Sequence, residues 1–153
     1  MKTIKITLIT GMLLTTAFVR AQSINGLEIG SYYTLTELKA ALGANPTDEE
    51  TTEGDCCGLE HRLEYGEDHF QHTQLFGFAG FSISTKQYEV KADNVTLRVG
   101  DDASIVSTVE NSKLFVREKE KEYWLYLGAS DDPIHVGYDD KHVITYIYYT
   151  ASI

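Results

Sequence analysis

The stretch IHVGYDDKHVITYIYYT, residues 134–150, decides the fold that the sequence predicts. Apolar and polar positions alternate on both sides of Asp139-Asp140-Lys141, which is the pattern of two antiparallel strands joined by a short turn. The preceding run EYWLYLG (122–128) alternates in the same way. We therefore predict a series of adjacent antiparallel strands in this half of the chain.

Working outward, similar patterns predict strands at 59–65, 69–81, 82–90, 113–119, 122–128, 134–139 and 142–150. Two helices are predicted between them. Thr34 and Glu37 fit a capping box, and Gly43 is suited to a left-handed residue at the end of that helix. A second, shorter helix is predicted after Asp101 or Asp102.

Two segments of the chain are similar to each other. LEIGSYYTLTELKAALG begins at Leu27 and LRVGDDASIVSTVENSK begins at Leu97, and each passes from alternating apolar residues through a glycine into a predicted helix. We interpret this as a duplication, with repeats at about 24–92 and 93–153; the alternative is one domain with an accidental similarity. The predicted fold is α+β: two tandem helix-plus-antiparallel-strand repeats, with the helices packed on one face of the sheet.

The N-terminus has the pattern of a secretory signal peptide. Residues 1–21 combine Lys2 and Lys5 with an apolar core and end at Ala21. A membrane anchor is the alternative, but the apolar core has roughly 14 residues where a membrane span needs about 20. We predict cleavage after Ala21, a single secreted domain at 22–153, no membrane insertion after cleavage, and a periplasmic or extracellular location.

The charge of the chain narrows the classes of partner. The net charge is −10, and it becomes −13 once Lys2, Lys5 and Arg20 are removed with the signal peptide. Phosphate backbones and anionic lipid surfaces repel such a protein. The sequence therefore argues against a nucleic-acid-binding function, and it permits a basic protein partner or a bound cation.

The second half of the chain also carries a family resemblance. Gly100-Asp101, the pair Trp124 and Tyr126, and the strands around the acidic turn resemble the module of the beta-lactamase inhibitory protein superfamily, which is also similar to small outer-membrane lipoproteins of the barrel-assembly machinery. The first half matches more loosely, through Gly30, the predicted helix over Leu35–Leu42 and Gly43. The resemblance implies tandem repeats and a concave sheet surface used for protein contact.

Cys56 and Cys57 are adjacent and are the chain's only cysteines. Neighbouring Cα atoms lie about 3.8 Å apart, which is shorter than the ~4.4–6.8 Å usual for a disulfide. Gly54 and Gly58 would let the backbone adopt the required turn. A vicinal disulfide and two free thiols are equally compatible with the sequence, and a bond between chains ranks behind them.

The sequence gives less support to a metal site or a catalytic site. Structural zinc sites use cysteines two to four residues apart, so Cys56, Cys57 and His61 do not form one, and we expect His69 and His72 to be surface histidines. The acidic run TDEETTEGD (47–55) is interpreted as a solvated loop. No catalytic motif is present. We predict no metal, no cofactor and no enzymatic activity.

The aromatic residues of the second half are the best candidates for function. Large rigid side chains with a polar tip favour interfaces, although ordinary core and cross-strand packing is the alternative. We predict a non-catalytic protein-binding module, inhibitor-like or acting in envelope assembly; a small-ligand or glycan-binding envelope protein is second. The predicted binding face consists of Trp124, Tyr126, Tyr146 and Tyr148.

Overall fold

The computed structural model describes residues 22–110, 112–127 and 131–152. The protein is mostly β, and its described part has one α-helix and one 3-10 helix. The predicted α+β fold of two helix-plus-strand repeats with helices packed on a sheet is therefore wrong. The predicted signal peptide, residues 1–21, lies outside the described residues.

The strands are β1 (Ser23–Ile24), β2 (Leu27–Glu28), β3 (Asp48–Gly54), β4 (Gly58–Tyr65), β5 (Asp68–Thr73), β6 (Gly77–Ile83), β7 (Val90–Ala92), β8 (Val95–Leu97), β9 (Ser112–Arg117), β10 (Glu122–Leu127), β11 (Ile134–Tyr138) and β12 (Ile144–Thr150). The α-helix, α1, is Leu35–Leu42, and the 3-10 helix is Ala103–Thr108. Within 22–110, 112–127 and 131–152, no helix combines the length and apolarity needed to cross a bilayer.

The larger sheet has eight antiparallel strands in the order β3-β4-β5-β6-β12-β11-β10-β9. Two runs of sequential hairpins, the N-terminal meander β3–β6 and the C-terminal meander β9–β12, meet where β6 pairs with β12. At this junction Ile147 is opposite Ile83, and Tyr149 is opposite Phe81. The two meanders therefore form one continuous sheet.

One face of this sheet, which we call the inner face, is buried. It contributes Leu63, Phe70, Phe81, Leu125 and Ile147, all at most 1% exposed. A second sheet, of order β2-β1-β7-β8, adds apolar residues to the same core cluster, together with the two helices. The second sheet was missed in the sequence because its strands have only two or three residues. The fold is mostly β because residues in strands far outnumber helical residues and form two antiparallel sheets.

The two helices follow the predicted capping but differ in kind. In α1, Thr34 Oγ1 accepts from the amide of Glu37 at 3.3 Å and the Thr34 amide donates to Glu37 Oε2 at 2.8 Å, so the capping box is confirmed. Gly43 ends the helix at φ 135° and ψ 131°, not in the predicted left-handed helical conformation. The second helix begins after Asp102 but is 3-10, since β-branched residues disfavour an α-helix.

The acidic run 47–55, interpreted as a solvated loop, is largely the edge strand β3. Each residue of Asp48–Gly54 pairs with one of Gly58–Glu64 in β4. Six of the seven are exposed, so the strand has no apolar alternation that a sequence pattern could reveal.

The predicted strand 69–81 is two strands, β5 and β6, with a turn between them. Gly77 begins β6 at φ +72°, and a Cβ there would lie 2.8 Å from the backbone nitrogen of Tyr33. Only glycine fits this close approach. The hairpin prediction around Asp139-Asp140-Lys141 is confirmed by the pairing of Tyr138 with Ile144.

Candidate binding face

The face of the large sheet opposite the core, here called the outer face, carries all four predicted aromatic residues. Trp124 is directly opposite His135, and His135 is opposite Tyr148. Tyr126 and Tyr146 lie two residues from Trp124 and Tyr148 on the same strands, and residues at this spacing share a face. Tyr148 is 37% exposed, and the other three are half-buried.

The aromatic side chains contact one another across the strands. The ring centroids of Trp124 and His135 are 4.8 Å apart, and those of His135 and Tyr148 are 5.5 Å apart. At the sheet edge, Phe115 of β9 packs edge-on against Tyr126 at 5.5 Å. We call the set the aromatic cluster: Phe115, Trp124, Tyr126, His135, Tyr146 and Tyr148.

Two charged residues belong to the cluster. The Arg117 guanidinium carbon lies 4.4 Å from the Trp124 ring centroid, which is a cation–π contact. Glu122, only 9% exposed, accepts from the Tyr146 hydroxyl at 2.6 Å and from the Trp124 indole N–H. His135 Nδ1 is 3.5 Å from the same carboxylate. Glu122 therefore fixes three rings relative to one another.

These contacts set the protonation of the cluster. Burial alone raises the pKa of Glu122, but the hydrogen bonds from Tyr146, Trp124 and His135 outweigh burial and lower the pKa. Burial, with the neighbouring Glu122 carboxylate, raises the pKa of Tyr146 to about 12. At neutral pH the pair is thus a phenol donating to a carboxylate.

Gly137 makes room for this arrangement. It lies between Glu122 and Tyr146 in the strand register, and a Cβ at this position would be 2.0 Å from the Tyr146 ring. The ring therefore lies across the strand over Gly137, where its hydroxyl reaches Glu122. Any larger residue would displace Tyr146 from the carboxylate.

Sequence reasoning missed Phe115, Arg117, Glu122, His135 and Gly137 as members of this face. One signal was available, because Glu122 precedes Trp124 and Tyr126 at two-residue spacing on a strand that was predicted. The other members could not be found without the register between strands.

The outer face of the N-terminal meander is polar instead. A groove of about 240 Å³ there is lined by residues that include Glu50, Glu60, Arg62, Gln71 and Thr150. The outer face therefore has an aromatic half and an acidic half that share one sheet.

The structure joins Cys56 and Cys57 by a disulfide, with Cα atoms 3.8 Å apart, in the turn between β3 and β4. Cys57 is buried and Cys56 is exposed. The Cys57 carbonyl accepts from the amide of Leu75 at 3.3 Å, which ties this turn to the turn between β5 and β6. The cysteines are far along the sheet order from the aromatic cluster.

The oxidation state has a direct test. We expect the intact mass of the protein, measured without reductant, to be two hydrogens lighter than the thiol form. Reduction should restore both hydrogens and allow two alkylations. A mass equal to that of the thiol form before reduction would contradict the disulfide, and a dimer mass would indicate pairing between chains.

Comparisons with known proteins gave no match: neither a family model, nor a curated protein, nor a solved structure matches the chain. The resemblance to the beta-lactamase inhibitory protein superfamily stays a prediction.

Proposed function

We propose that the protein is an exported, non-catalytic module that binds another protein through the aromatic half of its outer sheet face. The observation that carries the proposal is the aromatic cluster itself. Trp, Tyr and Arg are the residues that most often dominate binding energy in protein interfaces. Here they share one face with Phe115, which is 57% exposed.

The rigidity of the cluster supports this function. Glu122 hydrogen-bonds both Trp124 and Tyr146, and Arg117 lies over the indole ring. Side chains already held in place lose little conformational entropy when a partner binds. The exposed ends of the cluster, Phe115 and Tyr148, would then enter pockets of the partner.

The charge distribution of the outer face favours a partner that carries both an acidic and a basic patch. Lys113 and Arg117 on β9 are basic, whereas the N-terminal meander presents Glu50, Glu60 and Glu64. A partner with an acidic patch opposite β9 and a basic patch opposite the N-terminal meander would be oriented along the sheet.

Glycan binding is the second candidate, since exposed aromatic rings also stack on sugars. The Trp124 ring is already in contact with Arg117 and His135, which reduces the surface left for stacking. Trp124 is the only tryptophan. A fluorescence titration with a panel of sugars therefore reports on this face, and a flat response would remove the glycan alternative.

The protein-binding proposal is tested with Phe115→Ala and Tyr148→Ala, using Tyr32→Ala as the matched control because Tyr32 is 60% exposed outside the aromatic cluster. A partner is isolated from envelope extract on the unmodified protein, and its affinity for each variant is then measured. We expect each cluster variant to weaken binding about tenfold or more, corresponding to about 1.4 kcal/mol.

Thermal melts should show that all three variants fold. The control should bind as the unmodified protein does. Failure to recover any partner at micromolar protein, or equal affinities for all variants, would contradict the proposal.

A further inference from the structure

His61 and His72 lie directly opposite each other on β4 and β5, away from the aromatic cluster. His61 is two residues from the buried Leu63, and His72 is two residues from the buried Phe70. Residues at this spacing share a face of a strand, so both histidines belong to the inner face. His72 is 5% exposed, so the expectation that it is a surface histidine is wrong. Their ring centroids are 5.7 Å apart.

The hydrogen bonds of His72 define its tautomer. Its Nε2 lies 2.9 Å from the Tyr33 carbonyl oxygen, which can only accept, so Nε2 carries the proton. Its Nδ1 is buried and has no hydrogen-bond partner. Burial lowers the pKa of His72, and the hydrogen bond to Tyr33 only partly offsets this. The neutral ring thus holds a bare, buried lone pair at Nδ1.

His61 is arranged in a complementary way. Its Nδ1 lies 3.0 Å from Thr51 Oγ1 and 3.6 Å from Glu49 Oε1. The carboxylate favours a proton on Nδ1, which leaves the lone pair on Nε2. Glu49 is itself paired with Lys39 of α1 at 2.5 Å.

We propose that His61 Nε2 and His72 Nδ1 bind a divalent transition-metal ion of the zinc, nickel and copper class. Metal-binding histidines usually donate their second N–H to a carboxylate or a backbone carbonyl, as the neighbours of these two rings allow. Two imidazoles on one tetrahedral ion, with nitrogen–metal bonds of about 2 Å, have ring centres about 5 Å apart. The observed separation is close to this, and water completes the coordination.

The acidic surroundings suit a cation. Glu49 and Glu53 lie on the same side of β3 as Thr51, beside His61. Imidazole ligands select zinc, nickel or copper over calcium and magnesium, which prefer oxygen ligands. The site is distinct from the group formed by Cys56, Cys57 and Glu60, whose sulfurs are used by the disulfide.

The test is a calorimetric titration of the untagged, oxidised protein with Zn²⁺, with Ca²⁺ as the control ion. We expect one zinc per chain and no calcium binding. His61→Gln and His72→Gln should each weaken zinc binding at least tenfold. His69→Gln is the matched control. His69 lies on β5, as His72 does, but on the outer face, where it is opposite Ser82.

Two further measurements keep the result interpretable. His61 is partly exposed, so His61→Gln should melt within a few degrees of the unmodified protein even if His72→Gln does not fold. Glu49→Gln should weaken zinc binding by about tenfold through the orientation of His61. Absence of binding at millimolar zinc, an affinity unchanged in both histidine variants, an equal loss in His69→Gln, or binding only after disulfide reduction would each overturn the proposal.

Discussion

Replacing Asp68 by alanine is expected to cost about 3–5 kcal/mol of unfolding free energy, because it removes a buried carboxylate that accepts three hydrogen bonds. Asp68 is fully buried at the start of β5. Its Oδ1 accepts from the amides of Ser84 and Thr85 at 2.7 and 3.0 Å, and its Oδ2 accepts from the Thr85 hydroxyl. The carboxylate thus fixes the chain as it leaves β6.

The measurement is urea denaturation, with two companion variants. Asp68→Asn keeps the acceptor for the two amides and should lose roughly 1–2 kcal/mol. Asp131→Ala, at an exposed position, should change stability by no more than about 0.5 kcal/mol. A loss below about 1 kcal/mol in Asp68→Ala would show that the three donors find other partners.

Replacing Glu122 by alanine is expected to cost about 2–3 kcal/mol and to loosen the aromatic cluster, since Tyr146 and Trp124 lose their shared acceptor. Trp124 is the sole tryptophan, so its emission should shift to longer wavelength in the folded variant. Glu120→Gln is the matched control: it removes the charge of an exposed carboxylate that pairs with Arg117 but does not bond Trp124 or Tyr146, and we expect a change below about 1 kcal/mol.

The contribution of Glu122 should depend on pH in a defined direction. Its pKa is lowered in the folded protein, so its stabilising effect is present above the unfolded value of about 4.3 and is lost as pH falls through the folded value. The stability difference between the unmodified protein and Glu122→Gln should therefore be largest near neutral pH and shrink below about pH 4. A difference that stays constant over this range would contradict the role of the ionised carboxylate.

Local rules predicted the parts of the fold that depend on neighbours in sequence. The capping box of Thr34 and Glu37 and the hairpin turn at Asp139-Asp140-Lys141 both need only short-range hydrogen bonds. The second sheet could not be predicted in this way, because β1 and β2 have two residues each and exist only through pairing with each other and with β7. Its strands depend on tertiary packing, not on a periodic pattern.

The candidate site also has a part that the sequence predicted and a part that depends on contacts between strands. Alternation along β10 and β12 was sufficient to place Trp124 and Tyr148 on sheet faces, but only the register across β11 brings them together through His135. The role of Gly137 depends on the position of a ring from another strand. The unpartnered Nδ1 of His72 likewise depends on burial, which the polar sequence around it does not indicate.

The acidic strand β3 has a consequence for association between copies. An edge strand offers unpaired backbone groups to any other extended chain, and charged side chains are a common defence against such pairing. β3 presents Asp48, Glu49, Glu50 and Glu53 within seven residues. Two copies of β3 brought edge to edge would place like charges side by side. Their repulsion therefore disfavours aggregation through this edge of the sheet.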